Sequence, residues 1–144
     1  MKGTLYFDGA CEPVNPGGVA SYGFILIVGK KKYVGWGIAE TNSTNNVAEY
    51  WAIIKGLQRA LELGITDIEI KGDSKLVVNQ VAGRWRIKAA HLRPLVKKAK
   101  AVLNKFASWQ IEWIPREENA EADRASRQPL KAISQYFEKL LPLL

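Results

Sequence analysis

Cysteine is nearly missing from this 144-residue chain. Cys11 stands alone, so no internal disulfide can form, which fits a reducing compartment. Histidine also occurs once, at His91. No apolar run approaches the roughly 18 residues of a membrane span, and Leu5-Tyr6-Phe7 is too short for the core of a secretion signal, so the expectation is a cytoplasmic protein without a membrane partner. Linkers, repeats and low-complexity stretches are absent as well. A chain of 144 residues holds one domain with a real core and not two ordinary ones, so residues 1–144 read as a single domain. The most informative absence is local. From residue 74 to residue 111 there is no Asp or Glu, yet there are nine basic residues: Lys75, Arg84, Arg86, Lys88, Arg93, Lys97, Lys98, Lys100 and Lys105. The other 12 basic residues and all 14 acidic ones balance to −2, so the whole formal excess of +7 belongs to that segment. Such a concentration is the footprint of a face that binds a polyanion, and the interleaved Trp85 favours nucleic acid over a merely solvated lysine-rich helix.

Periodicity supplies the elements. Residues 3–8 read as a strand, 10–18 as a Pro/Gly-rich turn, and 19–28 and 32–39 as two more strands joined by the basic turn Gly29-Lys30-Lys31-Lys32, giving an antiparallel meander. Thr44 or Asn45 caps a helix running to about residue 63, with Val47, Trp51, Ile54, Leu57 and Leu61 at steps of three or four and Gly64 as its stop. Residues 67–72 form a fourth strand, reached through a helix and therefore parallel to the first. A short helix over 74–82, a longer one over 92–106, a fifth strand over 110–114 and a last helix starting near Glu118 or Asn119 complete the order. The aromatic stripe Tyr136-Phe137-Leu140-Leu141 on that last helix is expected to dock on the body, and Trp36, Trp51, Trp109 and Trp113 are expected to pack.

Four acids stand out. Asp8 and Asp73 follow apolar strand runs, so both belong at strand ends where ligand sites gather, and they lie side by side if the two strands are neighbours. Glu49 sits in the first turns of a helix with Ile53, Gly56 and Ala60 below it at helical spacing, so it faces packed surface. With no basic partner nearby in sequence, such a carboxylate needs a cation. Asp123 falls in the first turns of the last helix. The chain has only four aspartates, and the remaining one, Asp67, reads as a turn or strand-entry residue. A site of carboxylates without Cys or His ligands favours Mg²⁺ or Mn²⁺ over Zn²⁺.

The order β-β-β-α-β-α-α-β-α with acids at these points resembles the ribonuclease H fold, and the motifs narrow the resemblance to ribonuclease H type 1. They are Asp8-Gly9-Ala10-Cys11 with Asn15-Pro16-Gly17 beyond, Thr44-Asn45-Asn46 before Ala48-Glu49, Gly72-Asp73-Ser74, and Asn119 four residues ahead of Asp123. Each piece alone is weak; four in order over nearly the whole chain are strong. The resemblance implies an α/β fold with a five-stranded mixed sheet, three strands antiparallel and two further ones parallel to the first, flanked by helices. It implies a monomeric endonuclease that cuts the RNA strand of RNA/DNA hybrids with two Mg²⁺ ions, Mn²⁺ substituting, and leaves 5′-phosphate and 3′-hydroxyl ends. Double-stranded RNA is an alternative or second substrate, and a non-catalytic hybrid-binding module is a weaker alternative.

Carried over residue by residue, the resemblance makes Asp8 the shared metal ligand, pairs Asp123 with it at the water-activating ion, and gives Glu49 and Asp73 to the leaving-group side, with Glu49 also near the ribose 2′-hydroxyl. Cys11, Asn15, Thr44, Asn45, Asn46, Ser74, Asn79 and Asn119 are expected on the substrate side, although Thr44, Asn45 and Ser74 also suit helix caps. Trp85 is expected to pack against a deoxyribose of the DNA strand, and Arg84, Arg86 and Lys88 to provide much of the grip on the hybrid. Two departures matter. The loop before Asp123 has no histidine and offers Arg116 instead, as in an archaeal-type branch of the family. The protruding basic helix of other members is also missing, since 83–92 is a short loop.

Overall fold

The computed structural model describes residues 1–143, leaving aside the side chains of Phe137 and Leu141. Strands β1 (Lys2–Glu12), β2 (Gly18–Val28) and β3 (Lys31–Ser43) form the expected meander, followed by α1 (Asn45–Glu62), β4 (Asp67–Gly72), α2 (Lys75–Val81), α3 (Arg93–Leu103), β5 (Ser108–Trp113) and α4 (Ala120–Leu140), with short 3₁₀ turns at Ala90–Leu92, Arg116–Glu118 and Leu141–Leu143. The sheet order is β3-β2-β1-β4-β5. β1–β2 and β2–β3 are antiparallel, whereas β1–β4 and β4–β5 are parallel. Among the described residues no helix is long and apolar enough to cross a membrane.

Alternation along β1 divides the two faces of the sheet. Leu5 and Phe7 are fully buried in the main core with Ile53, Ile54 and Leu57 of α1, and Ile68 and Ile70 of β4 join them. Tyr6, on the other face, packs with Ile25 against Ala122 and Ala125 of α4. Thr44 starts α1 by accepting the Val47 amide on its hydroxyl at 3.2 Å, and Gly64, at φ 82°, ends it in the left-handed conformation that a residue with a Cβ resists.

Several expectations need correction. The turn expected over residues 10–18 contracts, because Ala10, Cys11 and Glu12 keep pairing with Ser21, Ala20 and Val19. β3 runs on to Ser43 for the same reason, its partner strand continuing alongside it. Trp51 and Trp109 do pack on the core, but Trp36 and Trp113 are largely exposed: β3 lies at the sheet edge, and Trp113 closes β5 on the opposite edge. Of the C-terminal aromatic stripe, Tyr136 is exposed, and the side chains of Phe137 and Leu141 lie outside the described residues.

Candidate active site and nucleic-acid interface

Asp8 and Glu49 meet because Gly9 has no side chain. A Cβ on Gly9 would stand 2.5 Å from the Glu49 amide nitrogen and 2.7 Å from the Ala48 carbonyl carbon, so the first turns of α1 rest directly on the β1 backbone. The two carboxylates are almost sealed, with Asp8 6% and Glu49 3% exposed. Asp8 receives the Gly9 amide at 2.9 Å, and Glu49 Oε1 a long contact from Asn45 Nδ2 at 3.4 Å. Glu49 Oε2 is buried with no hydrogen-bond partner. Burial, and after it the charge of Asp73, pushes the Asp8 carboxyl up to about 7; burial, then the charges of Asp8 and Asp73, push Glu49 well above the ordinary range.

Asp73 follows β4 immediately and is braced from two sides. Asn119 Nδ2 donates to Asp73 Oδ1 at 2.9 Å and to the Phe7 carbonyl at 2.8 Å, and Trp113 Nε1 donates to the Asp73 carbonyl at 3.1 Å. Ser74 then caps α2 by accepting the Val77 amide. Asp123 arrives on α4, which lies tight on β2. Gly23, the register partner of Asp8, leaves room for the Ser126 backbone where a Cβ would collide, and Ser21 Oγ donates to the Ser126 carbonyl at 2.6 Å. Arg127, one turn after Asp123, donates to Asp123 Oδ1 at 3.2 Å and reaches Glu12 Oε1 at 3.6 Å.

Asp8, Glu49, Asp73 and Asp123 therefore line one cavity of about 350 Å³, together with Cys11, Asn45, Ser74, Arg116 and Arg127. Its donor set suits a hard divalent cation. The orphaned buried oxygen of Glu49 and two carboxyls held toward their neutral form both call for positive charge. Among the described residues no three His, Cys, Asp or Glu side chains are already drawn together into a ready-made metal cage.

A second hollow, of about 540 Å³, is lined by Asn46, Leu76, Gln80, Arg84, Trp85, Arg86, Lys88, Ala89 and Leu92. The expected basic residues thus converge with Asn46, and Trp85 shows 48% of its surface. Asn79 shapes this rim from within: its carbonyl accepts the Arg84 and Trp85 amides, its Oδ1 accepts from Arg84 Nε at 2.8 Å and its Nδ2 donates to the Lys75 carbonyl. Asn15 Oδ1 accepts the Asn45 amide at 3.1 Å, joining the turn before β2 to the start of α1. Cys11 Sγ donates to the Val14 carbonyl at 3.2 Å.

Asn119 departs most from its expected place at the substrate surface. It is 2% exposed, because its amide is spent tying β1 to Asp73. Thr44 is likewise engaged in its cap. Sequence reasoning missed Gly9 as a spacer, Trp113 as a brace and Arg127 altogether; the four-residue step from Asp123 to Arg127 was the available signal.

The family model described as reverse transcriptase-like matches residues 6–128. The bifunctional protein Rv2228c of Mycobacterium tuberculosis is 38% identical over 140 residues, covering 94% of this chain and 37% of its own length. Ribonuclease HI of Halobacterium salinarum is 39% identical over 127 residues, covering 87% of this chain and 62% of its own. The chain thus spans less than two thirds of both relatives. Among solved structures, the N-terminal ribonuclease H domain of the mycobacterial protein aligns with a TM-score of 0.86 at 34% identity, over 94% of this chain and 98% of that one. The LC11 ribonuclease H1, solved in complex with an RNA/DNA hybrid, aligns with a TM-score of 0.83 at 25% identity, over 91% of this chain and 98% of that one. Ribonuclease H1 of Halobacterium salinarum aligns with a TM-score of 0.85 at 34% identity, over 92% of this chain and 99% of that chain. The chain accordingly belongs to the reverse-transcriptase-like family and, within it, to the type 1 ribonucleases H.

Proposed function

We propose that residues 1–144 act as one catalytic unit, an endonuclease that hydrolyses the RNA strand of RNA/DNA hybrids and leaves 5′-phosphate and 3′-hydroxyl ends. The carrying observation is the convergence of Asp8, Glu49, Asp73 and Asp123 on one cavity with a basic, Trp-bearing groove on the same molecule. The hybrid seen on the LC11 ribonuclease H1 supports the substrate class. A reducing cytoplasm suits a chain with one thiol.

Asp8 and Asp123 would hold one divalent cation, and Asp8, Glu49 and Asp73 a second; the oxygen-only donors suit Mg²⁺, with Mn²⁺ as a substitute. When bound, such ions supply Lewis acidity that activates water and supports the departing 3′ oxygen. The chain supplies the rest. Asn119 and Trp113 fix Asp73, Gly9 sets the spacing of Asp8 and Glu49, and Asn45 and Asn46 present amides toward sugar edges and phosphates. Arg84, Trp85, Arg86 and Lys88 hold the other strand by charge and ring contact. Arg116, exposed at the cavity wall, meets a phosphate as a permanent cation and cannot serve as a base.

Labelled hybrid, duplex RNA and duplex DNA incubated with and without Mg²⁺ test this directly. Cleavage of the RNA strand of the hybrid that requires Mg²⁺ is expected; binding of hybrid without cleavage would leave a binding module, and stronger cleavage of duplex RNA would displace the hybrid as substrate.

A further inference from the structure

Positive charge does not stop at the groove. Asn46 of α1 and Leu92 before α3 both line it, and farther along each helix Trp51 and Lys98 touch, so α1 and α3 run side by side in the same direction away from the groove. Along that seam the Trp51 ring carries two ammonium groups, Lys55 Nζ at 5.8 Å and Lys98 Nζ at 4.7 Å from its centre. α3 adds an exposed stripe at helical spacing, Arg93, Lys97 and Lys100, that begins beside the groove. No acid of either helix answers this charge. On α1 the only carboxylates are Glu49, inside the cavity, and Glu62, paired with Arg59; α3 has none. Among the described residues none of Lys55, Arg93, Lys97, Lys98 and Lys100 forms an ion pair.

Crowding unpaired cations on one face costs repulsion, which the Trp51 ring offsets only in part. We infer that the α1–α3 seam is a further nucleic-acid contact, in which Lys55, Lys98 and the Arg93/Lys97/Lys100 stripe hold the phosphates of the strand leaving the groove; this rests on the hybrid reading above. Lys98 stands six residues past Leu92, which at ~1.5 Å per residue is about 9 Å. At ~3.4 Å per phosphate along a strand, the seam adds about three phosphates to the footprint. It gives a chain without a protruding basic helix a second grip, from α3 and α1 instead.

The test compares Lys55→Glu/Lys98→Glu, and the milder Lys55→Gln/Lys98→Gln, with the parent chain. Binding is titrated with two hybrids, one just long enough to fill the cavity and groove and one longer by a helical turn. The parent should bind the longer hybrid more tightly and with a steeper salt dependence. In both variants the ratio of long to short affinity should fall, the Arg93/Lys97/Lys100 stripe keeping part of it, with the slope of log affinity against log salt for the long hybrid falling by about 0.9 for each phosphate that the variant no longer neutralises. A ratio equal to the parent's, or long and short hybrids weakened alike, overturns the seam and leaves these lysines to an acidic partner or to solvent. Failure of the parent to cleave either hybrid would count against the nuclease reading, while the length dependence of binding still decides the seam.

Discussion

The cavity has an inner wall and an outer rim, and they handle charge in opposite ways. At the inner wall Asp8 and Glu49 are buried behind Gly9, and among the described residues one carboxylate oxygen is orphaned and no cationic side chain bonds to them. At the rim Asp73 is held by Asn119, and Asp123 by Arg127. The wall leaves charge unanswered; the rim orients groups that already have partners. A site needs both, because an ion is attracted by the first and positioned by the second.

The sharpest way to break this contrast is at the wall, with two substitutions that should agree on activity and disagree on stability. Asp8→Asn and Gly9→Ala are both expected to bring turnover to background. Gly9→Ala forces a methyl group onto the α1 backbone and should cost about 1–3 kcal/mol of stability. Asp8→Asn removes a buried charge and should raise the melting temperature at neutral pH without added cations. Thermal melts of both proteins check the divergence; parallel destabilisation would mean that Asp8 supports the core rather than a ligand.

Charge at the wall also sets a pH dependence. The Asp8 carboxyl moves from an ordinary value near 3.8 up to about 7, so between those values the folded chain binds more protons than the unfolded one. Stability without divalent cations therefore falls as pH rises through that window and is greatest below it. At ~1.4 kcal/mol per pKa unit the fall amounts to a few kcal/mol. On the proposed function Mg²⁺ would bind the deprotonated carboxylates, so it should raise the melting temperature more at pH 8 than at pH 5. Equal gains at both pH values would detach the ion from these acids.

Wall and rim were not equally legible in the sequence. The strands and helices followed from periodicity, and Asp67–Gly72 matched residue for residue, because burial patterns and caps are local signals. The four acids stood out because each sits where a carboxylate is misplaced unless it binds something. Asn119 and Trp113 misled for a shared reason: their partners, Phe7 and Asp73, lie 40 to 112 residues away, so the sequence held the donors but not the acceptors. Trp113 resembled a core residue because it alternates with Ile111, yet an edge strand leaves its last residue open. Gly9 was visible only as part of a motif, since the close approach of α1 exists only in three dimensions.

At the rim, Asn119→Ala should sharpen the distinction. Both bonds from its amide disappear, so Asp73 loses its orientation while every carboxylate remains. A buried outer partner of a ligating carboxylate, as Asn119 is on the proposed function, is worth about 10–100-fold in metal affinity or activity. The expected signature is a raised Mg²⁺ requirement, partly recovered at high Mg²⁺, with hybrid affinity little changed. Loss that no Mg²⁺ concentration recovers would mark a folding defect instead.

The smallest effects separate the two arginines of the cavity. Arg127 is committed to Asp123 and Glu12, and all three side chains are at least a third exposed, so its loss removes a screened ion pair of ~0.2–1 kcal/mol and should lower turnover by no more than about fivefold. Arg116 has no ion pair among the described residues: neither Glu117 nor Glu118 pairs with it, and Glu121 is bound to Lys32 at 2.8 Å. A guanidinium left open beside four carboxylates is available to a phosphate, and a charge-assisted hydrogen bond of ~1.5–3 kcal/mol corresponds to about 10–100-fold in rate. Arg116→Ala should therefore slow turnover by at least about tenfold under saturating Mg²⁺ and hybrid, Arg116→Lys should recover part of it, and the pH–rate profile should keep its shape because arginine does not titrate in that range. Turnover of Arg116→Ala equal to that of Arg127→Ala would make both arginines surface charges and return the phosphate contact to the groove.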